Sequence, residues 1–273
     1  MEPALPSFKK PPLVETAISL QFQSISGLKN AHLGIFWQSM RGEFPKVTDA
    51  QPLPEQIELF GTPAVRAGRF PLFRVAGAAE ASRMQMASVD DRAMVQIQNG
   101  RIVSNWRRGL GGEYPRWGSV LQRFRESMRR FKETLAAEGL GAFLVNQWEV
   151  VYVNHLIKGR DWDTPADWPG LLPGIVAGAG RHTVGDLESI ICRKQIIMPD
   201  NRARIHVDLL HGFSSPESAP QELLSLQITA RGGVSESTDE QAYNGLEFGH
   251  AAIVRTFCDL TSPGAQKKWE REV

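Results

Sequence analysis

The feature that most constrains the fold is the stretch of residues 93–108, where two alternating runs meet at Asn99-Gly100. An Asn-Gly pair between such runs is typical of a two-residue hairpin with a type I′ turn. That turn sets a register in which Gln98 faces Arg101 and Ile97 faces Ile102. One face of the predicted hairpin is then a core face, which consists of Ala93, Val95, Ile97, Ile102, Ser104 and Trp106.

The other face of the predicted hairpin is mostly polar, so we expect it to face water or a ligand. It carries Met94, Gln96, Gln98, Arg101, Val103, Asn105 and Arg107.

Composition excludes several classes of protein. The 273 residues allow one large domain or two small ones, and 42% hydrophobic content is ordinary for a globular protein. Lys and Arg together number 31 and Asp and Glu together number 30. The net charge is therefore too small to attract nucleic acid or a membrane. No apolar run approaches the roughly 18 to 20 residues of a membrane span. The N-terminal stretch is a poor secretory signal, because its apolar segment is short and Glu15 interrupts it. We therefore expect a cytoplasmic protein with no membrane association.

The cysteines and histidines indicate neither a disulfide framework nor a metal site. Cys192 and Cys258 lie far apart in the sequence, which favours isolated thiols in a reducing compartment. The six histidines show no HxH, HxxxH or HExxH spacing. We expect no metal and no cofactor.

Periodicity predicts an arm and a first set of elements. Residues 1–12 are rich in Pro and Lys and are typical of an extended N-terminal arm. The predicted elements are strands at 13–23, 55–60 and 83–88, helices at 28–42 and 115–139, and the hairpin at 93–108.

A second set of elements follows in similar order. We predict strands at 143–156, 187–197, 203–210 and 223–230, a helical turn at 166–172, a long helix that begins with a capping box at 237–240, and a terminal helix that carries Trp269.

The element order predicts an α+β fold with one antiparallel sheet and long helices packed on one face. Residues 13–141 and 142–273 form two halves in this prediction, related to each other and sharing the sheet. Such a protein would resemble a duplicated helix-grip or TATA-binding-protein-like arrangement, although the amino-acid sequences of the two halves are only weakly similar.

Arginine is concentrated between residues 101 and 130, with Trp106 and Trp117 nearby. Arginine with aromatic neighbours suits phosphate recognition and stacking, and the alternative is a solvated helix face with acidic partners. The cluster consists of Arg101, Arg107, Arg108, Arg116, Arg123, Arg125, Arg129 and Arg130. Trp162, Trp168 and Trp269 lie in loop-like or terminal stretches, where we predict a partner surface.

Two sets of polar residues bear on catalysis. Glu15, Glu149 and His155 interrupt apolar strands, either for acid-base work, or because each is exposed at an edge or pairs with an arginine of the hairpin and helix. Arg204, His206 and Asp208 share a strand face, which we interpret as a solvated outer face because no nucleophile accompanies them.

Several ordered segments resemble a sporadically distributed bacterial and archaeal family of roughly this length and of unknown function. They are PPLVETAISLQF, HLGIFW, VQIQNGRIVSNWRR, YPRW, QWEVVYVNHL and FGHAAIVRTFCDLTSPGAQKKWER. The resemblance implies a patchy distribution, often in mobile or defence-like gene neighbourhoods. No catalytic residues are established for that family, so the resemblance assigns none to this sequence.

Together these observations predict a non-enzymatic cytoplasmic binding or accessory protein of a bacterial defence or toxin-control system. The expected partner is a protein or a second copy of the chain. A nucleic-acid or nucleotide binder and a hydrolase-like enzyme are the alternatives. The predicted binding residues are Gln96, Gln98, Arg101, Asn105, Arg107, Arg108, Arg123, Arg125, Arg129 and Arg130.

Overall fold

The computed structural model describes residues 4–60, 83–109, 112–176, 184–214 and 220–272. Its strands are β1 (Ser7–Phe8), β2 (Leu13–Phe22), β3 (Lys46–Ala50), β4 (Arg83–Ala87), β5 (Ala93–Gln98), β6 (Arg101–Arg107), β7 (Val145–Ile157), β8 (Ile191–Ile197), β9 (Arg204–Phe213), β10 (Glu222–Gly233) and β11 (Arg271–Glu272). Its helices are α1 (Asn30–Met40), α2 (Arg116–Ala137), α3 (Trp168–Leu171), α4 (Pro173–Val176), α5 (Asp239–Leu260) and α6 (Pro263–Lys268).

A nine-stranded antiparallel sheet dominates the described residues, in the order β3-β4-β5-β6-β2-β7-β10-β9-β8. The pairing of β2 with β7 at its centre joins the strands that precede α2 to those that follow it. A separate pair, β1 with β11, ties the N-terminal arm to the C-terminal end. The predicted α+β class is confirmed.

On each side of the central pair, the chain runs to a sheet edge and returns strand by strand. Descent of the two halves from one duplicated unit stays a prediction. No helix in the described residues is long and apolar enough to cross a membrane.

The hairpin has the predicted register, with Gln98 opposite Arg101 and Ile97 opposite Ile102. The predicted turn type is wrong. A type I′ turn needs a positive φ at both central positions. Gly100 has a φ of +101°, but the φ of Asn99 is not positive. The side chain of Asn99 instead accepts from the Ile25 amide at 2.9 Å and donates to the Ile25 carbonyl at 3.0 Å.

One face of the sheet carries the hydrophobic core and the long helices. Phe131 of α2 contacts Phe22 of β2 and Phe36 of α1, with ring centroids 5.8 and 5.3 Å apart. Gly245 and Gly249 let α5 approach Trp148 of β7, because a Cβ would lie 2.3 Å from the indole at Gly245 and 2.6 Å at Gly249.

Two sequence predictions fail in ways that matter for the site. Residues 55–60 do not form a strand, because the segment crosses strands rather than joining their ladder. Trp162, Trp168 and Trp269 are core residues rather than a partner surface, since their exposed fractions are 3%, 0% and 4%.

Candidate functional site: a polar sheet face crossed by an extended segment

The sheet face opposite the long helices is polar and nevertheless largely buried. Polar groups buried in such numbers require hydrogen-bond partners, because leaving them unpaired costs free energy. The buried members of this face include Ser19, Gln21, Gln96, Gln98, Arg101, Asn105, Gln147, Glu149, Arg204 and Thr229.

The main chain of residues 53–58 supplies partners to three of them. Gln98 accepts from the Leu53 amide at 2.8 Å and donates to the Leu53 carbonyl at 2.9 Å. Gln21 does the same with Gln56, at 3.0 and 2.8 Å. Side-chain carboxamides therefore bind this segment as a neighbouring strand binds a strand edge, through paired donor and acceptor bonds.

A third glutamine continues the series on the next strand. Gln147 accepts from the Glu58 amide at 2.8 Å and donates to the Gln56 carbonyl. Gln98, Gln21 and Gln147 stand in one row across the sheet, because Arg101 lies opposite both Gln98 and Gln21, and Gln21 lies opposite Gln147. The segment follows that row perpendicular to the strands.

The spacing of the row fits an extended chain. Gln98 and Gln21 are two strands apart, about 9.6 Å at an inter-strand spacing of about 4.8 Å. Leu53 and Gln56 are three residues apart, and three residues of polyproline II span about 9.3 Å and return the backbone to the same side. Pro52 and Pro54 favour that backbone conformation. The segment and the glutamine row therefore match in length.

Beyond the row, the carboxylate of Glu58 lies in a cationic pocket made by β9 and β10. It is bound by Arg204, by His206 at 2.6 Å from Nε2 and by Arg231 at 3.0 Å. Burial raises the pKa of Glu58, but the hydrogen bond and charge of His206 with the charges of Arg231 and Arg204 lower it below its ordinary value. The pocket therefore holds an ionised carboxylate.

Arg231 links this pocket to Glu149 of β7. Its Nε donates to Glu149 at 2.6 Å, and one of its terminal nitrogens donates to the Gln56 side chain at 2.6 Å. The solvated face predicted for Arg204, His206 and Asp208 is thus wrong at Arg204, which is buried. Asp208 pairs with the exposed Arg193.

Arg101 differs from the other arginines of this face. Only 6% of it is exposed, and its Nη2 has no hydrogen-bond partner. Unlike Arg204 and Arg231, it has no ion pair with a carboxylate of the described residues. Burial lowers the pKa of Arg101, and the charges of Glu149 and Glu55 oppose that shift.

The predicted binding residues divide between two places. Gln96, Gln98, Arg101 and Asn105 lie on the polar face, where Gln96 donates to Asn105 at 2.6 Å. Arg107, at the far end of β6, pairs with Glu15 at 3.5 Å. Arg108 donates to the Pro11 carbonyl at 2.7 Å.

The arginines of α2 lie on the other side of the sheet and have partners within the protein. Arg129 and Arg130 both bind Glu126 at 2.7 Å, and Arg123 lies 3.4 Å from Glu43. Arg125 stands over the ring of Tyr243 at 4.6 Å. The structure therefore does not join the helix and the hairpin face into one basic surface.

The predicted acid-base candidates have arginine or structural partners. Glu15 accepts from Asn105 at 2.7 Å, and Glu149 is held by Arg231. Both ring nitrogens of His206 have neighbours, Glu58 at 2.6 Å and Gln195 at 3.3 Å. Burial lowers the pKa of His155, and the charge of Arg160 lowers it further.

A separate apolar cavity of about 310 Å³ lies between the N-terminal arm and α5. A hydrogen-bonded chain runs along it from Tyr114 through Tyr152 to His250, with distances of 2.9 and 2.8 Å. Burial lowers the pKa of His250 to about 4 and raises that of Tyr114 to about 12. These groups are therefore uncharged at neutral pH and are poorly matched to proton transfer.

Sequence reasoning missed Gln21, Gln56, Glu58, Gln147 and Arg231 as site residues. A signal was present, since Gln21, Gln98 and Gln147 each occupy the non-core side of an otherwise apolar strand. Among the described residues, no group of three or more His, Cys, Asp or Glu could hold a metal ion. Comparisons with models of protein families and with curated proteins find no match for the chain.

Proposed function

We propose that this protein is a non-enzymatic binding protein whose polar sheet face receives an extended polypeptide segment. The observation that carries this proposal is the glutamine row, in which three side chains bind the main chain of residues 53–58. Main-chain recognition tolerates many sequences, as in strand addition to a sheet edge. Residues 51–60 of the chain act as an internal occupant of a surface that also suits a partner.

The Glu58 pocket adds a chemical preference to this general recognition. Two arginines and a histidine surround one carboxylate whose side chain is only 5% exposed. A partner segment without an acidic residue there would leave Arg204 buried without its carboxylate, which is costly, whereas Arg231 would keep Glu149. The preferred partner is therefore an extended segment with an acidic residue at that place.

The resemblance noted above adds a cellular setting to the proposal. A cytoplasmic accessory protein of a defence or toxin-control system has to bind another protein reversibly, and an occupied face that can exchange its segment suits that role. The nucleic-acid alternative has less support, because Arg123, Arg129 and Arg130 bind carboxylates of the chain.

The proposal is tested by replacing the internal segment with the same sequence in trans. The substitutions Gln56→Pro and Glu58→Pro remove two amide donors and the carboxylate. We expect the segment to leave the face in this full-length protein, which we call the opened variant. A fluorescent peptide with the sequence of residues 51–60 is then titrated and followed by anisotropy. We expect saturable binding to the opened variant, and binding weaker by roughly tenfold or more when the peptide carries Glu58→Gln.

A matched pair of variants locates the binding. Gln147→Ala, added to the opened variant, should weaken the peptide further, because it removes two contacts to the main chain. Gln227→Ala should leave the affinity unchanged, since Gln227 bonds to Thr229 of its own strand at 3.3 Å. If a folded opened variant binds no peptide, or if the two glutamine variants behave alike, the proposal is wrong.

A further inference from the structure

Arg101, whose buried Nη2 has no hydrogen-bond partner, lies inside the proposed binding face. In the glutamine row, Arg101 stands on β6 directly between Gln98 on β5 and Gln21 on β2. These two glutamines bind the main chain of Leu53 and Gln56. The part of the segment that crosses above Arg101 is therefore Pro54 and Glu55.

Neither of these two residues satisfies Arg101. Pro54 has no side-chain acceptor, and the exposed Glu55 acts on Arg101 only through its charge, without a hydrogen bond or an ion pair. A buried cation with an unpartnered donor costs free energy, and Arg101 has no ion pair with a carboxylate of the described residues. The neighbouring Glu58 pocket shows how this face pairs its other buried cations with a carboxylate. The internal segment therefore places a carboxylate against Arg204 and Arg231 but none against Arg101.

We propose that Arg101 is a second anion-binding position of the face, which the partner segment fills with an acidic side chain at the place of Pro54. This inference rests on the proposed function, because it names the partner of the same face. The place of Pro54 is the one that remains, since Glu55 already carries a carboxylate and forms no ion pair with Arg101. The partner is thus an extended peptide with acidic residues four positions apart, at the places of Pro54 and Glu58.

Two peptides test the inference on the opened variant. Both have the sequence of residues 51–60, one with Pro54→Glu and the other with Pro54→Gln, so they differ by one charge at equal size. The acidic peptide should bind more tightly, by roughly 10- to 100-fold, which is the effect of a hydrogen bond to a buried charged group. In an opened variant that also carries Arg101→Gln, the two peptides should bind with about equal affinity.

The outcomes separate this inference from the proposed function. If both peptides bind the opened variant equally well, Arg101 is not an anion-binding position, and the proposed function stands. If neither peptide binds, the proposed function fails first. If the preference for the acidic peptide persists in Arg101→Gln, another cation causes it and the inference is overturned.

A second measurement does not depend on peptides. Arg101→Gln in the wild-type chain removes a buried charge that has no ion pair with the described residues, so thermal unfolding should show an unchanged or higher Tm. Arg204→Gln is the matched comparison, because Arg204 binds Glu58, and its Tm should fall. A Tm that falls as far for Arg101→Gln as for Arg204→Gln would show that Arg101 has a structural partner, against the inference.

Discussion

The two faces of the central sheet are both buried, but by different means. On one face, apolar side chains such as Phe22 and Trp148 pack against α2 and α5. On the other, glutamine amides and arginines bind the extended segment of residues 53–58. Apolar burial is non-directional and contributes about 25 cal/mol per Å², whereas a hydrogen bond contributes only about 0.5–1.5 kcal/mol net because water competes for it.

From this difference we expect the contact of the helices with the apolar face to be permanent and the contact of residues 53–58 with the polar face to be exchangeable. Water can replace each bond between the glutamine row and residues 53–58, so we expect that the segment can leave without exposing a hydrophobic core. The helices on the other face cannot leave without exposing that core. We therefore expect the helix-covered face to determine stability and the polar face to determine binding.

Two adjacent leucines of β9 make the largest expected contrast. Leu209 faces the helices and is 1% exposed, whereas Leu210 points to the other face and is 50% exposed. Leu209→Ala should lower the free energy of unfolding by about 2–5 kcal/mol, the cost of an apolar cavity. Leu210→Ala should cost under about 1 kcal/mol. Similar losses in urea unfolding would contradict the assignment of the faces.

The next largest change in the free energy of unfolding is expected where α5 closely approaches Trp148. Gly245→Ala should destabilise by about 1–3 kcal/mol, because its Cβ would lie 2.3 Å from the indole. Gly34→Ala in α1 is the control, since a Cβ there has no neighbour within 4 Å. It should stabilise by up to about 1 kcal/mol through helix propensity. Thermal or urea unfolding measures both variants, and a neutral Gly245→Ala would contradict this packing.

On the polar face, Glu58→Gln should cost roughly 1–2 kcal/mol. Removal of one partner from a fully buried ion pair typically costs more, but here the segment can detach and let water reach Arg204 and Arg231. Glu55→Gln, a control on the exposed part of the segment, should change stability by under about 0.5 kcal/mol. An equal effect of the two substitutions in urea unfolding would mean that the pocket does not hold the segment.

The lowered pKa of Glu58 adds a dependence on pH. Because its folded pKa lies below the ordinary value of 4.5, its contribution is fully present above that value and is lost as pH falls through the folded pKa. The stability difference between the wild type and Glu58→Gln should therefore shrink below about pH 4.5. A difference that stays constant on acidification would contradict an ionised carboxylate in the pocket.

The smallest effect is expected at the exposed arginines of α2. Arg129→Ala should leave the Tm nearly unchanged, since its pairs with Glu126 and Glu133 are solvent-exposed. The variant Arg125→Glu/Arg129→Glu should also leave peptide binding unchanged. Loss of peptide binding in that variant would place the binding surface on the helix rather than on the sheet.

Much of the fold could be predicted because its signals are local. The alternation around Asn99-Gly100 predicts the hairpin register, and the apolar spacing of residues 115–139 predicts α2 within two residues of its observed ends. The turn type was wrong because Asn99 bonds to Ile25, a contact between residues distant in sequence. The strand expected at residues 55–60 failed for a similar reason, since extended backbone alone does not reveal its partner.

The site was less predictable because it depends on register across several strands. Gln98 was predicted from its place in the hairpin, but Gln21 and Gln147 join it only once β6, β2 and β7 are adjacent. Glu58 becomes an anchor only through cations of β9 and β10, more than a hundred residues later.

The most direct test of an exchangeable segment is hydrogen exchange at its bonded amides. Leu53, Gln56 and Glu58 donate to the glutamine row, so local opening should expose them without global unfolding. Their protection should lie below that of central-strand amides such as Ile18 and Val150, and it should fall further in Gln147→Ala while the Tm changes little. If the three amides exchange only with global unfolding, the segment is a fixed part of the fold and the account is wrong.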